Sequence, residues 1–285
     1  MKTLSVDIGA THIKWAILPD APNRESLAKI HVASMRSLGW LNAGLAGAFD
    51  RDNWPSITHE SRNLGQYDRV AIGLCSEIDT DGNVVGNLRS RGVPSDFIAA
   101  VERHVAPRSV TVVNDAEAWM RGAIQYERLC GRNVKFPALA LIFGTGIGCC
   151  MASSDFVYEP IEFCSPIQLN NLARASGKPT PLAPDKVHGM LGKEFFDWVG
   201  EAQRDLSYHR IREEYTNRVA ALLKDMAAHW GNPATIILGG GNAEYVQARR
   251  LANEAGVEVV PLRNNELGSV SPDLIPLLGA AGFKY

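Results

Sequence analysis

Two aspartates that each follow an apolar or β-branched segment are the acidic residues of this sequence best placed for chemistry. Asp7 follows Leu4–Val6, and Asp115 follows the segment SVTVV at 109–113 and Asn114. A carboxylate at the end of an apolar strand is costly unless it is hydrated, paired or bound to a metal ion. Asp7 would hold Mg²⁺ through water and so bridge phosphate oxygens. The alternative for Asp7 is an Asx-turn that closes a hairpin.

Asp115 lies where a predicted strand gives way to a predicted helix. There, its carboxylate would accept a proton from a substrate hydroxyl while that oxygen attacks a γ-phosphoryl group. A structural role is equally open, in which Asn114 or Asp115 serves only as the helix N-cap. Spacing along the chain does not choose between the two.

Three glycine-rich segments suit the binding of phosphate groups. They are DIGAT at 7–11, GTGIG at 144–148 and GGGN at 239–242. Without a Cβ atom, backbone N–H groups can approach an anion closely. None of the three has the spacing of a P-loop or of a dinucleotide-binding fingerprint. A single glycine turn is often only a hairpin, but three of them together predict phosphate-binding turns.

The predicted strands and helices that must position these residues form two similar groups, one in each half of the chain. Alternating apolar residues predict a strand–turn–strand unit in the first twenty residues and another at 138–152. Further strands are predicted at 67–74, 109–113, 235–238 and 257–260, and helices at 94–104, 116–129, 193–230 and 274–283. We therefore expect an α/β fold of two related domains that face a cleft. The predicted domains are 1–115, with the C-terminal helix 272–285 packed back on it, and 116–271.

Composition excludes several classes of protein. The 285 residues include 29 Lys and Arg against 31 Asp and Glu, a formal charge of -2, so no basic surplus exists to bind nucleic acid. No apolar run approaches the roughly 20 residues that span a bilayer, and MKTLSVDIGA lacks the layout of a signal peptide. Five cysteines, two of them adjacent, make a poor disulfide framework. We expect a soluble, cytoplasmic protein with no nucleic-acid or membrane partner.

Four segments in order resemble the ROK family of sugar kinases, which belongs to the actin-like ATPase superfamily. They are DIGATHIKWAI at 7–17, VVNDAEAWMRG at 112–122, LIFGTGIG at 141–148 and IILGGGNA at 236–243. The resemblance covers nearly the whole chain and implies two actin-like (ribonuclease H-like) domains with an interdomain cleft. It also implies transfer of the γ-phosphoryl group of ATP-Mg to a hydroxyl of a hexose-like sugar. The segment THIKWA is similar to the polyphosphate glucokinase branch, which leaves polyphosphate open as a donor.

The resemblance implies a role for each matching residue. Asp115 resembles the catalytic base, and Asn87, Asn114, Asp115 and Glu162 resemble the sugar contacts. The residues that match the nucleotide- and phosphate-binding segments, with Asp7 also the residue for Mg²⁺, are Asp7, Gly9, Thr11, Lys14, Gly144, Thr145, Gly146, Gly148, Gly239, Gly240 and Gly241.

The chain also departs from the family. The family's E-x-G-H segment reads Glu162-Phe163-Cys164-Ser165, which puts sugar binding there in doubt. The cysteine-rich zinc motif is absent from 166–190, so no structural zinc site is expected. The family's P-G-P-V-D reads CSEID at 75–79, and Glu77 there would either line the sugar pocket or be solvated.

Other functions stay open at the level of the sequence. One is a catalytically silent sugar or nucleotide sensor that acts through a partner protein. Family repressors carry an N-terminal helix-turn-helix, whereas this chain enters its first predicted strand at about residue 3, so no such module is expected before it. Another is a kinase that uses polyphosphate or a non-hexose acceptor. A homodimer is what the resemblance suggests.

Overall fold

The structure is a computed structural model of the chain. It describes residues 2–9, 12–36, 66–79, 81, 83–85, 99, 102, 109–143, 147–161, 208–262 and 267–282. Contacts divide the chain into two compact units, one of Met1–Asn133 with Gly268–Tyr285 and one of Val134–Leu267. We call them unit 1 and unit 2.

In chain order, the described strands and helices are as follows. They are β1 (Lys2–Ile8), β2 (His12–Pro19), α1 (Arg24–Ala28), β3 (Ala33–Arg36), β4 (Arg69–Leu74), β5 (Glu77–Ile78), β6 (Val84–Val85), β7 (Val110–Asn114), α2 (Asp115–Leu129), β8 (Ala138–Phe143), β9 (Ile147–Ser154), β10 (Val157–Pro160), α3 (Tyr208–Trp230), β11 (Thr235–Gly239), α4 (Ala248–Ala255), β12 (Glu258–Pro261) and α5 (Leu274–Ala281). A 3₁₀ helix covers Gly241–Tyr245.

Unit 1 contains a five-stranded sheet in the order β3-β2-β1-β4-β7. The pairs β3–β2 and β2–β1 are antiparallel, while β1–β4 and β4–β7 are parallel. Leu4, Val6 and Ile8 alternate along β1 and lie in one buried apolar cluster with Trp15. Ser5 has the opposite parity, and its Oγ donates a hydrogen bond of 2.6 Å to the carbonyl oxygen of Leu277 in α5. Because side chains alternate between the faces of a strand, Asp7 shares the face of Ser5 that α5 covers.

Unit 2 repeats this strand pattern. Its five-stranded sheet has the order β10-β9-β8-β11-β12, again with two antiparallel pairs followed by two parallel pairs. Its apolar core joins strand residues such as Leu141 and Leu238 to Tyr215 of α3. The hydroxyl of Thr216 in α3 accepts a hydrogen bond of 2.9 Å from the backbone N–H of Gln247, which ties α3 to the start of α4.

The observed elements agree with most of the predicted ones and extend them. The predicted mixed α/β fold class is confirmed, and the strands and helices predicted within the described residues are present. The short strands β3, β5, β6 and β10 and the short helices α1 and α4 are not among the predicted elements. The helix predicted at 94–104 and the first part of the one predicted at 193–230 lie outside the described residues, except for positions 99, 102 and 208–230.

Contacts assign α2 to unit 1, so the division falls between residues 133 and 134, later than the predicted boundary near residue 115. The reason is a close helix pair. A Cβ atom on Gly122 of α2 would overlap the carbonyl of Ile275, and one on Gly279 of α5 would overlap the carbonyl of Ala118. The two backbones are therefore in direct contact, and α2 cannot be separated from α5.

Candidate active site

The first group of candidate residues surrounds the carboxyl end of β1. Asp7 is in register with Gly73 of β4 on one side and with Lys14 of β2 on the other. A Cβ atom on Gly73 would lie 3.7 Å from Oδ1 of Asp7 and 3.8 Å from Cα of Asp115. Gly73 therefore lies beside both aspartates, and a side chain there would crowd Ala118 of α2, because a Cβ atom on Gly73 would lie 3.1 Å from the Cβ atom of Ala118.

Asn114 and Asp115 begin α2 in different roles. Asn114 is the N-cap, and its Oδ1 accepts hydrogen bonds from the N–H groups of Ala116 at 2.9 Å and Glu117 at 3.2 Å. Its Nδ2 donates to the carbonyl oxygen of Ser76 at 2.9 Å. The capping role considered for this pair thus belongs to Asn114. Asp115 accepts from the adjacent Ala116 N–H at 2.8 Å. Its proposed role as a base is compatible with this arrangement, because the cap does not depend on it.

Both aspartates are half-buried, and their pKa values are raised. Burial raises the pKa of Asp7 to about 7, with a further increase from the negative charges of Asp115 and Asp273 and a decrease from Lys14. Burial raises the pKa of Asp115 to about 6. Hydrogen bonds from nearby backbone N–H groups lower this pKa and so offset part of the increase. Burial is thus the main cause of the raised pKa in both carboxyl groups.

Lys14 carries the positive charge nearest to this pair in the register of the sheet. Its Nζ lies 2.7 Å from Oδ1 of Asp273, the residue that precedes α5. The side chains of Lys14 and Asp273 are 30% and 45% exposed. The ion pair therefore connects the β1–β2 hairpin to the start of α5.

Gly9 closes the other side of this hairpin. Its N–H donates to the carbonyl oxygen of His12 at 3.0 Å, and a Cβ atom on Gly9 would lie 3.2 Å from that same oxygen. A side chain at position 9 would therefore crowd the turn. Thr11 lies outside the described residues.

The second group of candidate residues lies in unit 2, where β8 and β11 end side by side. Gly239 of β11 is in register with Ile142 of β8, and Gly148 of β9 is opposite the same residue. Gly240 has φ of 82°, and a Cβ atom on it would overlap the backbone of Phe143. Only glycine fits this conformation and this approach. Gly148 and the start of the predicted segment 239–242 thus lie on either side of Ile142 in the second sheet.

The structure therefore brings the predicted residues together in two sets. Asp7, Gly9, Lys14, Asn114 and Asp115 lie in unit 1, and Gly148, Gly239, Gly240 and Gly241 lie in unit 2. Asn87, Gly144, Thr145, Gly146 and Glu162 lie outside the described residues.

Three residues described above were not among the predicted site residues, namely Gly73 beside the two aspartates, Asp273 at Lys14 and Gly122 in the contact of α2 with α5. Gly73 occurs in an ordinary apolar strand, and Gly122 and Asp273 occur in segments without a glycine-rich or acidic pattern. Only Gly73 gave a usable signal, since a glycine at the end of a central strand indicates close approach of another group.

Possible metal ligands and cysteines suggest no additional reaction among the residues that the structure describes. There, no group of three or more His, Cys, Asp or Glu residues is placed to hold a metal ion. The segment 166–190, on which the expectation of no structural zinc rests, is outside that part. Cys149 and Cys150 are buried thiols that form no disulfide, and burial raises the pKa of Cys149. None of the described helices is long and apolar enough to cross a membrane.

No family model matches the sequence, and no curated protein matches it. Solved structures do match along nearly the whole chain. The inorganic polyphosphate/ATP-glucomannokinase from Arthrobacter sp. strain KM is 20% identical with a TM-score of 0.61, over 98% of this chain and 96% of that one. A ROK family glucokinase from Streptomyces griseus, in complex with glucose and AMPPNP, is 17% identical with a TM-score of 0.62, over 99% and 98%. A ROK family transcriptional regulator, a homolog of the E. coli MLC protein, is 13% identical with a TM-score of 0.54, over 99% and 79%.

These similarities show a shared fold. They confirm the predicted fold class of two actin-like α/β domains, and they confirm, at the level of fold, the predicted likeness to ROK sugar kinases. The similar proteins include both kinases and a regulator, so the fold by itself does not choose an activity.

Proposed function

We propose that the protein is a carbohydrate kinase that transfers the γ-phosphoryl group of ATP to a hydroxyl of a hexose-like sugar, with Asp115 as the general base. The observation that carries this proposal is the placement of Asp115 at the start of α2, beside Gly73 and Asp7. With a pKa raised to about 6, its carboxylate is mostly ionised at neutral pH and is a stronger base than an ordinary aspartate. A base of this kind suits the removal of a proton from an attacking hydroxyl.

The similar structures support a kinase. Two of them are named as enzymes that phosphorylate sugars, and one of these was solved with glucose and a nucleotide analogue. The predicted sugar contact Asn114 adjoins the base, although its side chain also caps α2. The glycine segments of both units are the predicted phosphate- and nucleotide-binding backbone.

Mg²⁺ is the ion that such a reaction implies, and the residues present fit it. Asp7 and Asp115 are two hard oxygen donors, and burial together with the charge of Asp115 raises the pKa of Asp7, so a cation is favoured beside them. Asp7 would hold the ion through water, and when bound the ion supplies neutralisation of phosphate charge.

The test is Asp115→Asn, which keeps the size of the side chain and removes the base. Turnover should fall by about 10³-fold, within the range that general-base catalysis contributes, while ATP binding measured by calorimetry stays within about threefold. The matched control is Glu117→Gln, which alters another acid in the first turn of α2 and should change turnover less than about threefold. Unchanged turnover in Asp115→Asn would contradict the assigned base.

The pH dependence of wild-type activity gives a second test of Asp115 as the general base. Because the ionised carboxylate is the active form, kcat/KM should rise with pH and level off above an apparent pKa of about 6. A profile that is flat from pH 5 to 8 would contradict a role for Asp115 in proton removal.

Two alternatives each have one supporting observation. The likeness to a polyphosphate/ATP-glucomannokinase favours polyphosphate as a second donor. The likeness to a transcriptional regulator favours a sugar sensor that acts through a partner. A panel of hexoses, amino sugars and polyols, run separately with ATP and with polyphosphate, distinguishes them. Turnover with one donor identifies the class, whereas ATP binding without turnover on any acceptor favours the sensor.

A further inference from the structure

Asp273 occupies the N-cap position of α5 but does not cap it. Aspartate at this position ordinarily accepts hydrogen bonds from the first N–H groups of the helix. Here, its side chain makes no capping hydrogen bond, and the N–H groups of Leu274 and Ile275 are satisfied by the carbonyls of Ser271 and Pro272. The carboxylate is directed instead to Lys14, with an Nζ–Oδ1 distance of 2.7 Å.

Lys14 is held at both ends of its side chain. Its backbone is fixed in β2, opposite Asp7 on one side and Ser34 of β3 on the other. Its ammonium group is fixed by Asp273. A long lysine side chain otherwise samples many rotamers, so the ion pair selects one direction for the charge.

The helix α5, which follows Asp273, is also held in place by contacts within unit 1. α5 contacts the backbone of α2 at Gly122 and Gly279, and it accepts the buried hydrogen bond from Ser5. α2 carries Asp115 at its first position. A continuous set of contacts within unit 1 thus runs from Lys14 through Asp273 and α5 to the helix that carries the proposed base.

We propose that Asp273 is a positioning residue, which directs the Lys14 ammonium toward the phosphate groups of the donor and fixes it relative to the helix that begins at Asp115. This inference rests on the proposed function, because it assigns Lys14 to the donor. The ligand chemistry is that of a polyanionic phosphate chain, whether a nucleoside triphosphate or polyphosphate. An ion pair this exposed adds little to stability, so its main effect is on the direction of the charge.

The variants are Asp273→Asn, Lys14→Met and the double variant, each assayed for donor KM and kcat at saturating sugar. We expect Lys14→Met to raise the donor KM about tenfold and Asp273→Asn about fivefold, with kcat changed less than about twofold in both. In the Lys14→Met background, Asp273→Asn should have no further effect, because the residue acts only through Lys14. Asp273→Glu, which keeps the charge, should restore the donor KM to within about twofold of the wild-type value.

A merely structural role for Asp273 predicts a different pattern. Displacement of α5 would move α2 and so lower kcat, and it would lower the melting temperature whether or not Lys14 is present. Glu25→Gln is the matched control, since it breaks the exposed Lys29–Glu25 pair of the same unit and should leave all kinetic constants unchanged. Equal effects of Asp273→Asn with and without Lys14 would overturn the inference.

Calorimetry with ATP and with tripolyphosphate, in the absence of sugar, separates failure of this inference from failure of the proposed function. A wild-type protein that neither binds nor consumes a donor overturns both. A wild-type protein that phosphorylates sugar, with Asp273→Asn equal to it in donor KM and donor affinity, overturns the inference alone. Weaker donor binding by Asp273→Asn, restored in Asp273→Glu, supports it.

Discussion

The two units share a strand pattern but use glycine differently where their central parallel strands end. In unit 1, Gly73 lies beside two carboxylates and against Ala118 of α2, and the tightest glycine contacts are made between helices, at Gly122 and Gly279. In unit 2, the tight contact is made at the strand ends themselves, where Gly240 meets the backbone of Phe143.

This difference fits the two chemical tasks that we propose for the units. The strand ends of unit 1 present carboxyl groups with raised pKa values, which suit the proposed proton transfer. Those of unit 2 present closely packed backbone, which suits hydrogen bonds to an anion. Under the proposed function, a repeated topology would thus supply carboxyl groups in one unit and main-chain donors in the other.

Gly279→Ala tests the contact between α2 and α5 in unit 1, and it should have the largest effect on stability. The added Cβ atom would overlap the carbonyl of Ala118, so α5 must move away from α2. We expect a loss of about 4 kcal/mol or more in the free energy of unfolding, measured by denaturant titration. Gly241→Ala, where a Cβ atom meets nothing within 4 Å, is the control and should lose less than about 1 kcal/mol. Equal stabilities of the two variants would show that the helix contact is not tight.

Gly240→Ala tests the close backbone contact at the strand ends of unit 2, and it should have a smaller effect on stability. The residue has φ of 82° and meets the backbone of Phe143, so alanine would be both strained and crowded. We expect a loss of about 3 kcal/mol, with ATP binding weakened more than sugar binding in calorimetry. Sugar binding that weakens as much as ATP binding would contradict the separation of tasks between the units.

Asp7→Asn tests the charge in unit 1 and should have the smallest effect, with a sign that depends on pH. Because the folded-state pKa of Asp7 is raised to about 7, the wild-type protein has this group's stability in full below the unfolded-state pKa and loses it as pH rises toward 7. Asparagine cannot ionise, so the variant should exceed the wild-type protein by about 2 kcal/mol at pH 8, roughly half of the full linkage value because Asp7 is only half-buried, and should match it near pH 4. The measurement is denaturant unfolding at both pH values in the presence of EDTA. A difference that is the same at both would rule out ionisation as its cause.

Much of this architecture could be predicted from the sequence, because local patterns determine it. The alternation in β1 and β2, the β-branched run before Asp115 and the apolar run before residue 144 each predict an element without knowledge of the rest. The glycine-rich segments can also be recognised in the sequence, and the positive φ and close contact of Gly240 explain one of the three glycines at 239–241.

What could not be predicted depends on contacts between distant residues. The contact of α2 with α5 joins residues far apart in sequence, and nothing around Gly122 distinguishes it from a helix glycine of no importance. Asp273 reads as an ordinary N-cap, and only the structure shows its side chain on Lys14. Local sequence patterns predict the strands and helices. Which element packs against which depends on contacts between residues that are distant in sequence.

The assignment of α5 to unit 1 has a consequence for how the chain folds as it is made. Residues 134–267 form one uninterrupted stretch, whereas unit 1 needs residues from 268 onward. On the ribosome, the whole of unit 2 is therefore synthesised before the helix that covers Ser5 and Gly122 is available. During that interval the first sheet lacks one of its covering helices, so unit 2 can finish folding first and unit 1 is the part that most needs protection from aggregation.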